Sequence, residues 1–263
     1  MAMLKILQVT DSHILPKPEE TMMGVNTDKY FRQVLAHAFQ HHERFDLMLL
    51  TGDLTQDPSP ESYRRIRQIL SRYQTPCLCL PGNHDDLSQM QAVLDTDTIN
   101  CDKRKQLGNW QIISLNSQKP GHAGGLIAQS ELDYLCNQLR LHPHLYTLIA
   151  VHHHCISSGS SWMDTMIIEN SDEFLAALAP HRRIKAIICG HVHQALEKKY
   201  DDIAIYTTPA SCFQFKPGCR EFALDDKPPG YRVLELDDDG GIRTEVQWLP
   251  LRLTELNLDS DGY

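Results

Sequence analysis

Five short polar clusters carry residue types that hold metal ions: TDSH (10–13), TGDL (51–54), GNHDD (82–86), VHHH (151–154) and CGHVH (189–193). Alone, a GD or DxH reads as a turn aspartate or a capping residue, and a GHxH as a one-metal site or a polar loop. All five, in order and each closing an apolar strand-like run, point to one gathered site. The gathered set is Asp11, Asp53 and Asn83 with His13, His84, His191, His193 and one or more of His152, His153 and His154. One ion takes about four to six ligands, so seven or more donors call for two ions. Asp53 stands alone after its strand and is a natural bridge, because each carboxylate oxygen can serve one ion. Imidazole-rich donors favour Mn, Fe, Zn or Co over Mg and Ca. Two ions about 3.5–4 Å apart stabilise an attacking hydroxide and polarise a phosphoryl group. The expected chemistry is therefore dinuclear hydrolysis of a phosphate ester. Within AVHHHC (150–155), strand alternation sends His152 and His154 to one face and His153 to the other, which leaves the first two as equals.

Positioning these residues requires a series of strands whose carboxyl ends meet, since ligands of α/β sheets sit on the loops there. Apolar runs suited to strands are LKILQVT (4–10), LMLLT (47–51), PCLCLP (76–81), WQIISLN (110–116), YTLIAV (146–151) and IKAIICG (184–190). Helix-period segments alternate with them: from Thr27, read as an N-cap, to Phe39; after Ser59 and Pro60; near 87–94; about 129–141; and near 172–179. After residue 200 the pattern turns to strands, IAIYTTP, GYRVLELD and IRTEVQWL. This predicts one α/β domain over 1–250, of stacked sheets with helices outside, and a C-terminal surface extension over 251–263.

Lys and Arg number 25 against 34 Asp and Glu, a net charge of −9, and no basic run is present. That argues against a nucleic-acid partner, which needs many cations. The absence of a leader-like segment and of an apolar stretch near ~18 residues predicts a cytoplasmic chain with no membrane partner. The eight cysteines are read as reduced, with Cys77 and Cys79 packed in the core.

The ordered set DxH, GD, GNHD, H and GHxH over residues 11–193 resembles that of the calcineurin-like metallophosphoesterases. GVNT (24–27), TGDLTQD (51–57), LPGNHD (80–85), Ser161-Trp162-Met163-Asp164, QFKPGC (214–219), PPGYRVLEL (228–236) and the closing GY extend the similarity to the bacterial class III cyclic nucleotide phosphodiesterases. The resemblance implies an α/β four-layer sandwich of two mixed β-sheets flanked by helices. It implies one divalent ion on Asp11, His13, Asp53 and His193, and a second on Asp53, Asn83, His152 and His191. Iron or manganese comes first, zinc or cobalt after them. His84, Asp53 and Asn83 would be catalytic, and Asn83, His84, His13 and His193 would face the substrate. Asp85 would orient His84 or cap the next helix; His153 would stand behind the ligands, and His154 in the loop. The implied reaction is hydrolysis of 3′,5′-cyclic AMP to 5′-AMP. The alternatives are a broader phosphodiesterase acting on 2′,3′-cyclic nucleotides or glycerophosphodiesters, and a non-catalytic scaffold. A homodimer is the family's further implication. Two positions depart from the pattern: Cys155 replaces a proline after the histidine run, and Gly124 stands where many relatives carry a histidine, with His122 slightly earlier. FQFKPGC (213–219) is read either as a cover for the nucleoside or as a dimer contact.

Overall fold

Strands such as LMLLT and WQIISL are mostly apolar and are buried at every position, so both of their faces are covered. The computed structural model, which describes residues 3–260 and 262, does this with four layers. In chain order the elements are β1 (Leu4–Val9), α1 (Thr27–His41), β2 (Leu47–Thr51), α2 (Pro60–Leu70), β3 (Cys77–Leu80), α3 (Leu87–Leu94), β4 (Ile99–Asn100), β5 (Arg104–Leu107), β6 (Trp110–Leu115) and α4 (Gln129–Leu141). Then come β7 (Tyr146–Val151), a 3₁₀ turn (Met163–Met166), α5 (Ser171–Leu178), β8 (Ile184–Cys189), β9 (Leu196–Tyr200), β10 (Ile203–Thr207), β11 (Gln214–Phe215), β12 (Leu224–Asp225), β13 (Gly230–Leu236) and β14 (Ile242–Trp248).

One six-stranded sheet has the order β14-β13-β1-β2-β3-β4, and the other β5-β6-β7-β8-β10-β9. β1 to β4 run parallel, as do β6, β7, β8 and β10, while β13, β14, β5 and β9 are antiparallel additions. Both sheets are therefore mixed. Period two divides each strand between two cores: Leu47 and Leu49 of β2 meet Ile112, Leu148 and Ile188 between the sheets. Met48 and Leu50 face the other way, onto Phe31, Val34 and Ile66 of α1 and α2. Beyond the second sheet, α4 and α5 pack Leu135, Leu139, Phe174 and Leu178 on Ile149 and Ile187.

Local chemistry sets the helix starts. Asn26 caps α1 by accepting the Lys29 N–H at 2.8 Å. Thr27, read as the cap from sequence, is the first helical residue, and its hydroxyl donates to the His13 carbonyl at 2.9 Å. Ser59 and Pro60 begin α2 as their types require. Asp86 caps α3, so Asp85 does not. β9 (LEKKY) gives no sequence signal, because it is an edge strand with three exposed polar residues. Cys77 and Cys79 are buried in the core with sulfurs 3.7 Å apart. In the C-terminal stretch, Leu253 and Leu256 turn inward, Asn257 N–H donates to the Met23 carbonyl at 2.9 Å, and Tyr30 hydrogen-bonds Glu255. Of the closing Gly262-Tyr263 pair, Tyr263 lies outside the described residues.

Candidate metal centre

β1, β2 and β3 end in one sheet, and β7 and β8 in the other, at the same edge of the sandwich. Gln8 ties that edge together. Its side-chain amide donates to Thr51 Oγ1 at 3.0 Å and to the Cys189 carbonyl at 3.3 Å, and its oxygen accepts from Thr208 Oγ1 at 2.7 Å. Beyond it the chain bends sharply five times: Asp11, His13, Asp53, His191 and His193 all have φ between +44° and +67°. They are five of the eight non-glycine residues with positive φ among the described residues. Such backbone costs of order 1–3 kcal/mol per residue and is retained where function requires it. Close approach does the rest. A Cβ on Gly52 would lie 2.3 Å from His152 Nδ1, and one on Gly82 2.2 Å from Asp53 Oδ1.

Asp11, His13, Asp53, His152, His191 and His193 are at most 1% exposed, whereas Asn83 and His84 are half-buried. His152 Nδ1 lies 2.8 Å from the Thr51 carbonyl, and His193 Nδ1 2.8 Å from the Phe213 carbonyl. A carbonyl only accepts, so each Nδ1 carries a proton and Nε2 is the nitrogen left to meet a cation. His13 is set the same way, with Nδ1 2.8 Å from Gln56 Oε1. The Nε2 atoms of His13 and His193 thus face each other at 3.3 Å. His152 Nε2 stands 3.2 Å from both Asn83 Oδ1 and Asp53 Oδ2. Unprotonated, these atoms would repel at such distances, so a cation belongs among them, and at His152 a proton and a metal ion compete for that place.

Asp53 is the shared member. Its Oδ1 accepts the His84 N–H at 2.9 Å, while Oδ2 has no hydrogen-bond donor and faces His152 and, at 3.9 Å, His13. Both ring nitrogens of His191 are likewise buried without a hydrogen-bond partner, and its N–H donates to both Asp11 oxygens at 3.1 Å. Unmet buried polar atoms are costly, and a bound cation would satisfy these. Donor atoms of Asp11, His13 and His193 lie within 4.8 Å of one another, as do those of Asp11, Asp53 and His152, and of His13, Asp53 and His84. The residues fit a pair of divalent ions.

Electrostatics agree. Burial lowers His13 to about 3 and holds His191 and His153 well below the usual range, so these rings are neutral. Burial opposes charge on His152 too, yet the Asp53 carboxylate outweighs it and lifts His152 to about 9. Burial would raise Asp53, but His152 and the other histidines hold it well below its ordinary value. The pocket thus favours positive charge between these groups.

The three consecutive histidines do not alternate as on a strand, because β7 ends at Val151. His152 alone reaches Asp53. His153 Nδ1 is 2.7 Å from Ser117 Oγ and its Nε2 3.1 Å from the Ala123 carbonyl. Its ring nonetheless has a donor atom within 4.8 Å of those of His152 and His191. His154 points to Asp164 at 3.3 Å, and burial lowers it to about 4. Asp85 neither caps α3 nor spends its oxygens on the His84 ring. They accept the N–H groups of Gly82, Leu54 and Thr55 and the Tyr63 hydroxyl, tying the loops after β2 and β3 together. Burial, then the Asp53 charge, raises Asp85 to about 6. His84 Nδ1 instead lies 3.1 Å from the Gln56 carbonyl.

Phe213 and Phe215 are fully buried, so their rings neither cover a nucleoside nor form a dimer contact. Phe215 lies flat on the His193 ring, centroids 4.1 Å apart and planes 19° apart. Sequence reasoning missed this bed and Gln56. Gln56 stands in the TGDLTQD motif; the holding carbonyls of Thr51 and Phe213 leave no side-chain signal. Outward from Asn83 and His84 opens a cleft of about 1240 Å³, with exposed His122 on its wall.

The sequence pattern of the calcineurin-like phosphoesterases matches residues 4–195. The chain is 39% identical, over 99% of its length and 95% of the relative's, to the 3′,5′-cyclic adenosine monophosphate phosphodiesterase CpdA of Haemophilus influenzae. It is 37% identical to the protein of that name from Escherichia coli K12, over 100% of this chain and 96% of the relative. Among solved structures, a dimetal phosphatase from Danio rerio superposes with a TM-score of 0.61 at 14% identity, over 88% of this chain and 95% of that one. That likeness speaks for the fold.

Proposed function

The chain belongs to the calcineurin-like phosphoesterase family, and on that premise we propose that it hydrolyses 3′,5′-cyclic AMP to 5′-AMP at the Asp53 centre. The observation that carries the two-ion chemistry is Asp53 itself, with Oδ1 pinned by His84 N–H and Oδ2 turned between His152 and His13. The full-length similarity to relatives named as cyclic AMP phosphodiesterases supports the substrate.

Asp11, His13, Asp53 and His193 would hold one ion, and Asp53, Asn83, His152 and His191 the other. When bound, the pair supplies Lewis-acid polarisation of the phosphate and activation of water. The donor set suits iron or manganese first, then zinc or cobalt. The protein's own groups do the remaining work. Asn83 turns its Oδ1 to His152, which leaves its NH₂ to hold a non-bridging phosphate oxygen. His84 gives its Nδ1–H to the Gln56 carbonyl, so Nε2 is the atom that would pass a proton to the leaving oxygen. A water oxygen joins phosphorus and keeps one hydrogen, the P–O3′ bond breaks, O3′ takes the proton from His84, the water's other proton restores His84, and the 5′ ester remains as 5′-AMP. Every group named comes from one chain, and the product is a small molecule.

All eight cysteines are free, which supports a reducing compartment such as the cytoplasm. No helix among the described residues is long and apolar enough to cross a membrane. A broader phosphodiesterase is the second reading, because Asn83 and His84 address the phosphate and not the base. Comparison of kcat/KM for cyclic AMP, cyclic GMP, 2′,3′-cyclic AMP, a glycerophosphodiester and bis-p-nitrophenyl phosphate decides between them. Cyclic AMP should lead; a poor showing beside the others overturns the first reading.

A further inference from the structure

The cleft is lined by groups of different chemistry. Asn83 and His84 are polar, half-buried Trp162, Met166 and Phe222 are apolar, and Lys119 and Arg220 are cations on the same wall. Trp162 meets Phe222 edge to face with centroids 5.3 Å apart, and both pack on buried Phe215, at 5.1 and 5.5 Å. Phe215 in turn lies on His193, so one aromatic group runs from a candidate ion ligand to the cleft wall.

The wall is held rigidly. Trp162 and Phe222 come from separate segments sewn together by Ser161 N–H to the Cys219 carbonyl at 3.0 Å and Gly218 N–H to Ser160 Oγ at 2.9 Å. Asp164 fixes the turn after Trp162, accepting from Ser158 N–H at 2.6 Å and from the Ser157 and Ser158 hydroxyls at 2.6 and 2.7 Å. Lys119 and Arg220 can meet an anionic phosphate, but the faces of Trp162 and Phe222 offer it nothing and cost it hydration. A flat heterocycle carried on that phosphate gains stacking area at low ordering cost.

We propose that Trp162 and Phe222 form the nucleobase subsite, a specificity-determining contact that rests on the cyclic-nucleotide reading above. The test compares 5′-AMP with ribose 5-phosphate, which has an anomeric hydroxyl in place of the base, as competitive inhibitors of bis-p-nitrophenyl phosphate hydrolysis. Wild type should bind 5′-AMP the more tightly. Trp162→Ala and Phe222→Leu should each narrow that gap by about ten-fold, within the range for loss of one stacked base, while Trp162→Phe keeps most of it. A gap that is absent in wild type, or unchanged in both Trp162→Ala and Phe222→Leu, overturns the subsite. Because the reporter is not cyclic AMP, a gap that closes in these variants supports the subsite even where cyclic AMP itself proves a poor substrate, a result that would sink only the activity.

Discussion

A histidine that gives its Nδ1–H to a carbonyl can offer only Nε2 to anything else, and His152 and His193 are held in that way by Thr51 and Phe213. Three neighbouring histidines with one ring type therefore have three different fates. His152 meets Asp53 and Asn83; His153 is engaged at both nitrogens by Ser117 and Ala123; His154 is tied to Asp164. Elemental analysis and metal titration of single variants check this ranking. His152→Ala should lose affinity for an ion by at least about ten-fold, since outer partners of ligands alone are worth that much. His154→Ala should retain it, and the reverse order would contradict the geometry. The residue types of the site were legible in the sequence, because Asp, Asn and His clusters after apolar runs are rare by chance. Their orientation was not: the carbonyls that fix the rings are backbone atoms, and the end of β7 at Val151, which cancels the alternation, has no marker within VHHH.

At the scale of elements, parallel strands deliver their ends to one edge, and tight left-handed turns then aim Asp11, His13, Asp53, His191 and His193 back at a common point. The glycines in these turns are spacers as well as hinges. Gly52 has φ +92° with His152 Nδ1 2.3 Å from where a Cβ would stand, whereas Gly159 has φ +89° with nothing within 4 Å. Gly159→Ala should therefore cost only the backbone strain, on the order of 1 kcal/mol. Gly52→Ala should cost about 1–3 kcal/mol more from crowding, with weakened metal binding. Denaturant unfolding of the two variants measures the difference, and equal destabilisation would show that the contact yields freely. Strands buried on both faces and helices with clear caps could be read from the chain. β9 could not, because an exposed polar edge carries no apolar period, and Asn26 displaced Thr27 as the cap of α1 because the Thr27 hydroxyl is committed to His13.

The whole molecule is two sheets brought into register over a shared apolar layer. Asp11, His13, Asp53 and Asn83 follow strands of the first sheet, and His152, His191 and His193 follow strands of the second. Neither sheet holds a complete donor set, so an ion pair would join them as well as act on the phosphate. The most direct test titrates metal-free protein with manganese and reads the rate of 5′-AMP formation from 3′,5′-cyclic AMP. The rate should climb and level off at about two equivalents of metal per chain, as a two-ion site requires. Saturation at one equivalent, or a fully loaded protein that forms no 5′-AMP, would contradict the account.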